Sequence, residues 1–349
     1  MIDMYINSMF DENKNNYIER WLLLITFLVA LMIVVGGLTR LTDSGLSITK
    51  WDLISGILPP LSLGQWENTF NLYKKIPEFK LINSNMTLDE FKIIYWWEYI
   101  HRLLGRLIGL LYIIPLLYFT FTQKFRFKEL LLYYFIFFLI CFKGFIGWYM
   151  VKSGLTDRTD VSHYRLSLHL TLAFVIFIFL FWSILKIRYM NKYNNFFKLP
   201  YFLPNIFLFF ILLQISIGAL VSGLDAGQIY QSWPLMNQSF FPDDSNYRDL
   251  FLLSAFETPS LVQFVHRNLA YLILIYFIFI TAIIMKNINY SYLRSAIILI
   301  TIFLFIQIIL GILTILSGAQ IVLASLHQIG SIFLISSVII LVFKNSKIN

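Results

Sequence analysis

The amino-acid sequence predicts an all-α membrane protein whose eight transmembrane helices form two tandem four-helix bundles. An apolar composition, long apolar segments and an internal repeat predict this class. Of the 349 residues, 58% are hydrophobic and 13% are charged, whereas an ordinary soluble domain carries roughly 25% charged residues. Because so much apolar surface needs lipid around it, the composition excludes a disordered chain, a nucleic-acid-binding domain and most soluble enzymes.

Eight segments are long and apolar enough to cross a bilayer, which takes about 20 residues. The segments are roughly 21–40, 93–122, 129–151, 165–187, 201–223, 262–285, 293–317 and 320–343. Basic residues of the short loops concentrate on the side of the N-terminus, which predicts that both termini are cytoplasmic. That side carries Lys14, Arg20, Lys124, Arg126, Lys128, Lys186, Arg188, Lys192, Lys198, Lys286, Arg294, Lys344 and Lys347. Two long loops, near 41–92 and 224–261, then face outward.

The N-terminal segment 1–20 predicts a short cytoplasmic stretch rather than a transit peptide, because it contains four acidic residues. We therefore expect a bacterial inner membrane. The net charge of +8 follows from the short-loop basic residues and does not indicate nucleic-acid binding. Cys141 is the one cysteine, which excludes an intrachain disulfide and a cysteine-based metal site.

An internal repeat relates the two halves of the chain. Each half has four spans, so both halves keep one orientation, and we expect a pseudo-twofold axis along the membrane normal. The halves are predicted at 21–190 and 191–349. The matching segments are 36–38 with 43–45 against 218–220 with 225–227, 99–102 against 264–267, 147 with 153–154 against 311 with 317–318, and 167–169 against 325–327.

Four of the five histidines stand at equivalent points of this repeat, each near the start of an even-numbered span. Thr258 with Pro259 predicts the start of the sixth span, Ala319 that of the eighth, and Thr87 with Glu90 forms a capping box before the second. Even-numbered spans run in one direction, so we expect the four imidazoles at one depth, which is about 12 Å into three of the helices. The second helix starts outside the bilayer, so His101 lies deeper along it at the same height. The four are His101, His169, His266 and His327.

Two imidazoles on parallel helices in each half fit an axially ligated haem between the helices of a bundle. For any single histidine, a hydrogen bond to a neighbouring helix is the alternative. A copper or zinc site is disfavoured, because the repeat divides the histidines two and two. His163 lies in a loop without a repeat partner, so no ligand role is expected. Glycines on the spans permit close packing of helices or of a flat macrocycle, and packing alone is the favoured role for most of them. They are Gly36, Gly37, Gly105, Gly109, Gly144, Gly147, Gly218, Gly311 and Gly330.

Glu98 breaks the symmetry of the repeat. It stands three residues before His101 on the same helix face, whereas the equivalent position is Gln263. A carboxylate in a membrane span is costly unless it is paired or used. Two interpretations stay open: an ion pair with Arg102 or Arg40, or a reacting group beside one haem only. On the second, the N-terminal half does chemistry and the C-terminal half keeps a permanent cofactor.

At these residues the sequence resembles haem A synthase, the membrane enzyme family that converts haem O to haem A. The resemblance covers almost the whole chain and looks closest to the proteobacterial and mitochondrial branch. Part of the family carries cysteine pairs in the outer loops, which this chain lacks. The motifs are 36–47 (GGLTRLTDSGLS), 98–106 (EYIHRLLGR), 147–155 (GWYMVKSGL), 165–170 (RLSLHL), 223–227 (GLDAG), 266–268 (HRN) and 327–328 (HQ).

The resemblance implies that His266 and His327 hold haem b, and that haem O enters the N-terminal half near His101 and His169. Glu98 matches the family's essential glutamate, so Glu98, His101 and His169 are the expected catalytic residues. The implied chemistry is oxidation of a ring methyl to a formyl group by successive hydroxylation and loss of water. Three arginines near the ligands are candidates for pairing with haem propionates, although interfacial arginines also snorkel. They are Arg102, Arg106 and Arg267.

Two rival functions stay open. A membrane b-type cytochrome that only transfers electrons explains the paired histidines equally well, but not the asymmetry at Glu98. A transporter of haem or another hydrophobic substrate fits a tandem repeat, but needs no stoichiometric haem. On the enzyme interpretation, haem O is the substrate and an unnamed electron donor is required. Haem O synthase, cytochrome oxidase assembly factors and a second copy of the chain are further candidate partners, and membrane lipid surrounds the protein.

Overall fold

The computed structural model describes residues 2–51, 55–122, 125–189 and 192–346, and these fold as helices and connecting loops. Eight helices are long and apolar enough to cross a membrane, as predicted, so the chain is a multi-pass membrane protein. The α-helices are α1 Ile2–Leu41, α2 Leu63–Tyr73, α3 Pro77–Leu81, α4 Leu88–Phe121, α5 Phe127–Asp157, α6 His163–Tyr189, α7 Phe202–Gly223, α8 Pro259–Lys286, α9 Arg294–Leu316 and α10 Ile321–Asn345. Short α2 and α3 lie in the first long loop, and the other eight are the spans.

Each half of the chain forms a ring of four helices. In the N-terminal half, α1 packs on α4, α4 on α5, α5 on α6 and α6 on α1. In the C-terminal half, α7 packs on α8, α8 on α9, α9 on α10 and α10 on α7. The halves meet where α6 contacts α7 and where α1 contacts α10. A twofold axis would exchange these two contacts, so the packing is consistent with the predicted tandem bundles.

A side-chain contact between α10 and α1 ties the halves together. Gln328 donates a hydrogen bond from Nε2 to the main-chain oxygen of Ile33 across 2.8 Å. Its amide lies so close to Gly37 that a Cβ there would stand 1.6 Å from Oε1. A side chain at Gly37 would therefore displace the Gln328 amide from this contact.

The helix starts agree in part with the capping signals of the sequence. At α4 the box is confirmed: the Glu90 amide donates to Thr87 Oγ1 at 3.4 Å, and the Thr87 amide donates to Glu90 Oε2 at 2.8 Å. At α8, Thr258 precedes Pro259 as expected. The Thr258 hydroxyl, however, donates to the main-chain oxygen of Ser254 at 3.2 Å. Thr258 therefore occupies the N-cap position, but its side chain accepts no hydrogen bond from a main-chain amide of the first turn.

The start of α10 differs from the prediction. Gln320, rather than Ala319, is the N-cap residue. Gly318 and Ala319 both adopt left-handed backbone conformations, with φ of +66° and +61°. Two consecutive residues in this conformation reverse the chain direction between α9 and α10. The N-cap of α10 therefore lies one residue later than predicted.

Two long loops, 42–87 and 224–258, lie at the same end of the bundle, which we name the loop face. The first contains α2 and α3 and packs over α4 and α5. Its core is aromatic: Phe70 and Tyr73 pack on Phe91, and Tyr95 stacks on Tyr99 at 6.1 Å between ring centroids. The loop is therefore an ordered cap on the N-terminal bundle.

The opposite end of the bundle carries the basic side chains counted in the orientation prediction. There, Arg188 of α6 pairs with Glu19 of α1. Segment 1–20 is helical from Ile2 and continuous with the first span. Lys124, Lys347 and the side chain of Lys14 lie outside the described residues.

Candidate functional site

Each of the four repeat histidines packs against a glycine of the preceding span in the same half. His169, His266 and His327 are the seventh or eighth residues of their helices, whereas α4 begins earlier and His101 is its fourteenth. Any side chain at the glycine would push the imidazole aside. A Cβ built at Gly36, Gly147, Gly218 or Gly311 would lie 3.2, 2.9, 3.1 or 3.0 Å from the nearest ring atom of His101, His169, His266 or His327. The same construction thus occurs four times.

The histidines are paired within each half, as the repeat predicts. The ring centroids of His101 and His169 lie 6.4 Å apart with an interplanar angle of 73°. His266 and His327 belong to α8 and α10, which both pack on α7. Within the described residues, the buried Nδ1 atoms of His169, His266 and His327 have no hydrogen-bond partner. Buried polar atoms are rarely left so. The fit to a flat group from outside the chain rests instead on the four contacts between glycine and histidine, because an iron would be bound through Nε2.

The residues four positions before these glycines differ between the halves. Gln214 of α7 places Nε2 3.3 Å from His266 Nε2 and donates to the His266 main-chain oxygen at 3.1 Å. Gln307 of α9 donates to the His327 main-chain oxygen at 2.8 Å. The N-terminal half has Met32 and Lys143 instead. Both glutamines are neutral, so the C-terminal bundle adds no charge at these positions.

Lys143 is a site residue that the sequence prediction missed. Its Nζ lies 3.0 Å from Nε2 of His169. The repeat carried a signal for it, because Lys143 precedes Gly147 by the same four residues that separate Gln307 from Gly311. An ionisable residue inside a span is a functional hypothesis by default.

Glu98 lies on α4 with both carboxylate oxygens engaged. Oε2 accepts hydrogen bonds from the Ser47 hydroxyl and from the Ile48 amide, both at 2.7 Å. Oε1 accepts from Arg102 at 2.6 Å, and the side-chain exposures are 3% for Glu98 and 9% for Arg102. The predicted ion pair with Arg102 is present. Arg40, the other partner considered, instead pairs with Asp43 and Asp225.

Two of the three arginines expected near haem propionates bind main-chain oxygens of the loop face. Arg102 donates to Ile48 and Lys50 at 2.9 and 3.1 Å. Arg267, its repeat counterpart, donates to the oxygens of Tyr230 and Ser232, both at 2.9 Å. Each fastens the first loop of its half to the histidine-bearing helix. Arg106 lies one turn beyond Arg102 and is half-buried. Propionate pairing by these arginines stays a prediction.

A second buried carboxyl group lies in the cap formed by the first loop. Glu78 of α3 is 5% exposed. Burial raises its pKa to about 8, and the negative charge of Glu98 adds to the rise. The carboxyl group of Glu78 is therefore mostly protonated at neutral pH.

His163 lies at the interface between the halves. It is the first residue of α6 and packs against Gly223 of α7, where a Cβ would stand 2.7 Å from the His163 Cβ. The ring also contacts that of Tyr164, with centroids 4.2 Å apart. The prediction that His163 lies in a loop is wrong, because the residue begins α6, and its lack of a ligand role stays a prediction.

Comparison with known proteins gives consistent relatives over the whole chain. A protein named "Heme A synthase" from Pelagibacter ubique is 50% identical over 348 residues, covering 99% of this chain and all of that protein. Proteins of the same name from Rickettsia conorii and Rickettsia bellii are 41% and 44% identical, and cover 93% and 92% of this chain and 97% and 96% of their own lengths. The family model COX15-CtaA, described as cytochrome oxidase assembly protein, matches residues 19–339. The chain therefore belongs to the COX15-CtaA family of cytochrome oxidase assembly proteins.

Proposed function

We propose that this protein is a haem A synthase, which oxidises a ring methyl of haem O to a formyl group. Haem O is the substrate and enters the N-terminal half, 21–190, between His101 and His169. Haem b is the resident cofactor of the C-terminal half, 191–349, held by His266 and His327. The observation that carries this proposal is the fourfold glycine–histidine construction with a carboxylate, Glu98, in one half only.

The bound iron porphyrins supply the redox chemistry, which no amino-acid side chain provides. The chain's own residues position and insulate them. The glycines leave room for the imidazoles and for a flat ring, and the apolar bundle walls suit a substrate with a hydrophobic tail. The cap of α2 and α3 packs over the N-terminal bundle and limits the access of water from the loop face.

Glu98 is the residue of the N-terminal half best placed to stabilise positive charge at the reacting methyl or to accept a proton. Ser47, Ile48 and Arg102 hold the carboxylate in place before substrate arrives, so no reorganisation is needed during the reaction. Gln263, at the equivalent position, donates to the main-chain oxygen of Tyr230 at 3.2 Å and carries no charge. The C-terminal half therefore lacks this function, as a resident cofactor site requires.

The decisive experiment uses a host that makes haem O but no haem A. The protein is expressed there with a functional respiratory electron donor, and extracted haems are separated by reverse-phase chromatography. Wild type is expected to yield haem A or its hydroxylated precursor. Glu98→Gln is expected to yield neither while retaining haem b, and exposed Glu67→Gln serves as the control. Unchanged haem O with haem b in the purified wild type would instead favour the electron-transfer cytochrome, which the histidine pairs alone support equally.

We further propose that the protein resides in a bacterial inner membrane with both termini in the cytoplasm. The basic side chains at the end opposite the loop face support this orientation. An electron donor, haem O synthase, other cytochrome oxidase assembly factors and a second copy of the chain are the partners to test by co-purification. A cysteine introduced at exposed Asn68 in α2 is expected to react with an impermeant maleimide from the outer side. Labelling only after membrane disruption would reverse the orientation.

A further inference from the structure

Lys143 places a primary amine at its histidine, whereas the C-terminal half has glutamine amides at the corresponding positions. Its Nζ lies 3.0 Å from His169 Nε2. Within the described part of the chain, this is the one hydrogen bond of the Lys143 side chain. The amine nitrogen is the only polar atom of a lysine side chain. The contact with His169 therefore provides the amine with a hydrogen-bond partner in a region where water is scarce.

Nε2 is the ring nitrogen to which a haem iron has access. It lies farthest from the main chain, whereas a flat macrocycle approaching Nδ1 would strike the Cβ of the same residue. Metal–imidazole bonds are about 2 Å long, and both a metal and a hydrogen bond use the same lone pair of Nε2. The contact from Lys143 and the bond to an iron therefore exclude one another.

The C-terminal half has a glutamine four residues before each of its two histidine-facing glycines. Gln307 hydrogen-bonds the main-chain oxygen of His327 at 2.8 Å rather than the ring. Gln214 approaches His266 Nε2 at 3.3 Å, but it also donates to the His266 main-chain oxygen at 3.1 Å. A bound iron can displace Gln214 from the ring without leaving its amide unpaired. Displacing Lys143 breaks its hydrogen bond with the His169 ring, and the lysine amine then needs a new partner inside the membrane.

We propose that Lys143 is a positioning residue that makes the N-terminal haem site exchangeable, by competing with the haem iron for Nε2 of His169. This inference rests on the proposed function, which requires one half to admit and release haem while the other retains it. As the bond between the iron and the imidazole breaks, the Lys143 amine takes over the lone pair of Nε2, which speeds release of the haem. The neutral glutamines of the other half allow the resident haem to stay.

The experiment measures haem release from the full-length protein in nanodiscs. The protein is loaded with haem b in both halves, and transfer to excess apomyoglobin is followed by absorbance. Wild type is expected to release haem in a fast and a slow phase, and His169→Ala identifies the fast phase by removing it. A hydrogen bond involving a charged group contributes roughly 1.5–3 kcal/mol. Lys143→Gln is therefore expected to slow the fast phase about tenfold or more and to leave the slow phase unchanged.

Matched variants test the same inference from other directions. Lys143→Met places at this position the residue type that Met32 supplies in α1, and is expected to slow the fast phase as Lys143→Gln does. Lys152→Gln removes an exposed charge from the same helix and should change neither phase. Gln307→Lys introduces the competitor into the C-terminal half and should convert the slow phase into a faster one, which keeps the test valid if the Lys143 variants fail to fold.

An unaltered fast phase in Lys143→Gln and Lys143→Met, or an unaltered slow phase in Gln307→Lys, overturns the inference. These results are separate from the fate of the proposed function. A wild type that makes no haem A in the expression test rejects that function whatever the release rates. A wild type that makes haem A, combined with unchanged release rates in the variants, rejects only the role of Lys143.

Discussion

Glu98 and Arg102 form a buried ion pair one helical turn apart on α4, with 2.6 Å between Oε1 and Nη2. The pair binds both main-chain polar groups of Ile48 in the first loop. Glu98 accepts from the Ile48 amide, and Arg102 donates to the Ile48 main-chain oxygen. The carboxylate proposed to serve the reaction is thus also a fastening point for the cap, and its charge and its position depend on the same guanidinium.

Removing Arg102 is expected to destabilise the protein because it leaves a buried carboxylate without its partner. Breaking a buried pair from one side typically costs about 3 to 5 kcal/mol. We expect Arg102→Ala to lower the midpoint of thermal unfolding, followed through the absorbance of the bound haem. The double variant Glu98→Gln/Arg102→Ala should be more stable than Arg102→Ala, because no unpaired charge stays buried. Simple additivity of the two single losses would contradict the account of this pair.

The glycine that faces each histidine is expected to control haem binding in its own half. In Gly311→Ala the new Cβ would lie 3.0 Å from the His327 ring, so the imidazole must shift. We expect loss of haem b from the C-terminal half at unchanged expression, measured as the haem-to-protein ratio. Gly144→Ala is the control, because a Cβ there meets no atom within 4 Å. Equal haem content in Gly311→Ala and Gly144→Ala would exclude a role for the close approach.

Replacing histidines should separate the two halves. His327→Ala and His266→Ala are expected to abolish the resident haem b of the purified protein. His101→Ala and His169→Ala are expected to retain it and to lose formyl production, because their pair lies in the other bundle. The measurements are the pyridine haemochrome content and the extracted haem profile. Loss of resident haem from the His101 variant alone would reverse the assignment of the halves.

The cap of the first loop is expected to loosen as pH rises. The folded state raises the pKa of Glu78 from 4.5 to about 8, so between these values the folded cap holds a proton that the opened cap releases. Stability is therefore full below about pH 4.5 and is lost as pH rises toward 8, by roughly 1 to 4 kcal/mol. Hydrogen-exchange protection of α2 and α3, corrected for intrinsic rates, measures this loss.

Matched variants isolate the contribution of Glu78. Glu78→Gln cannot ionise, so protection of the cap should become nearly independent of pH between 5 and 8. Glu67→Gln changes an exposed carboxylate of α2 and should preserve the wild-type pH dependence. A pH dependence of the same size in Glu78→Gln would assign it to another group.

The eight spans, the repeat and the equivalent placement of four histidines could all be predicted from the amino-acid sequence. These features are local: bilayer thickness sets the length of an apolar segment, and a capping box acts within one turn, as at Thr87 and Glu90. The start of α10 was misplaced by one residue because two left-handed residues, Gly318 and Ala319, precede it. The sequence limited the ion-pair partner of Glu98 to Arg102 or Arg40. Arg102 was a candidate because it follows Glu98 by four residues on the same helix.

The side-chain contacts between helices could not be predicted from the sequence and depend on the packing of the folded bundle. The contact between Lys143 and His169 depends on how α5 and α6 are rotated toward one another, and hydropathy does not specify that rotation. Ser47 and Ile48 reach Glu98 across about 50 positions of chain because the first loop folds back over α4. Such contacts depend on distances between non-neighbouring backbones, which packing of the whole bundle sets and which residue spacing along one helix cannot encode.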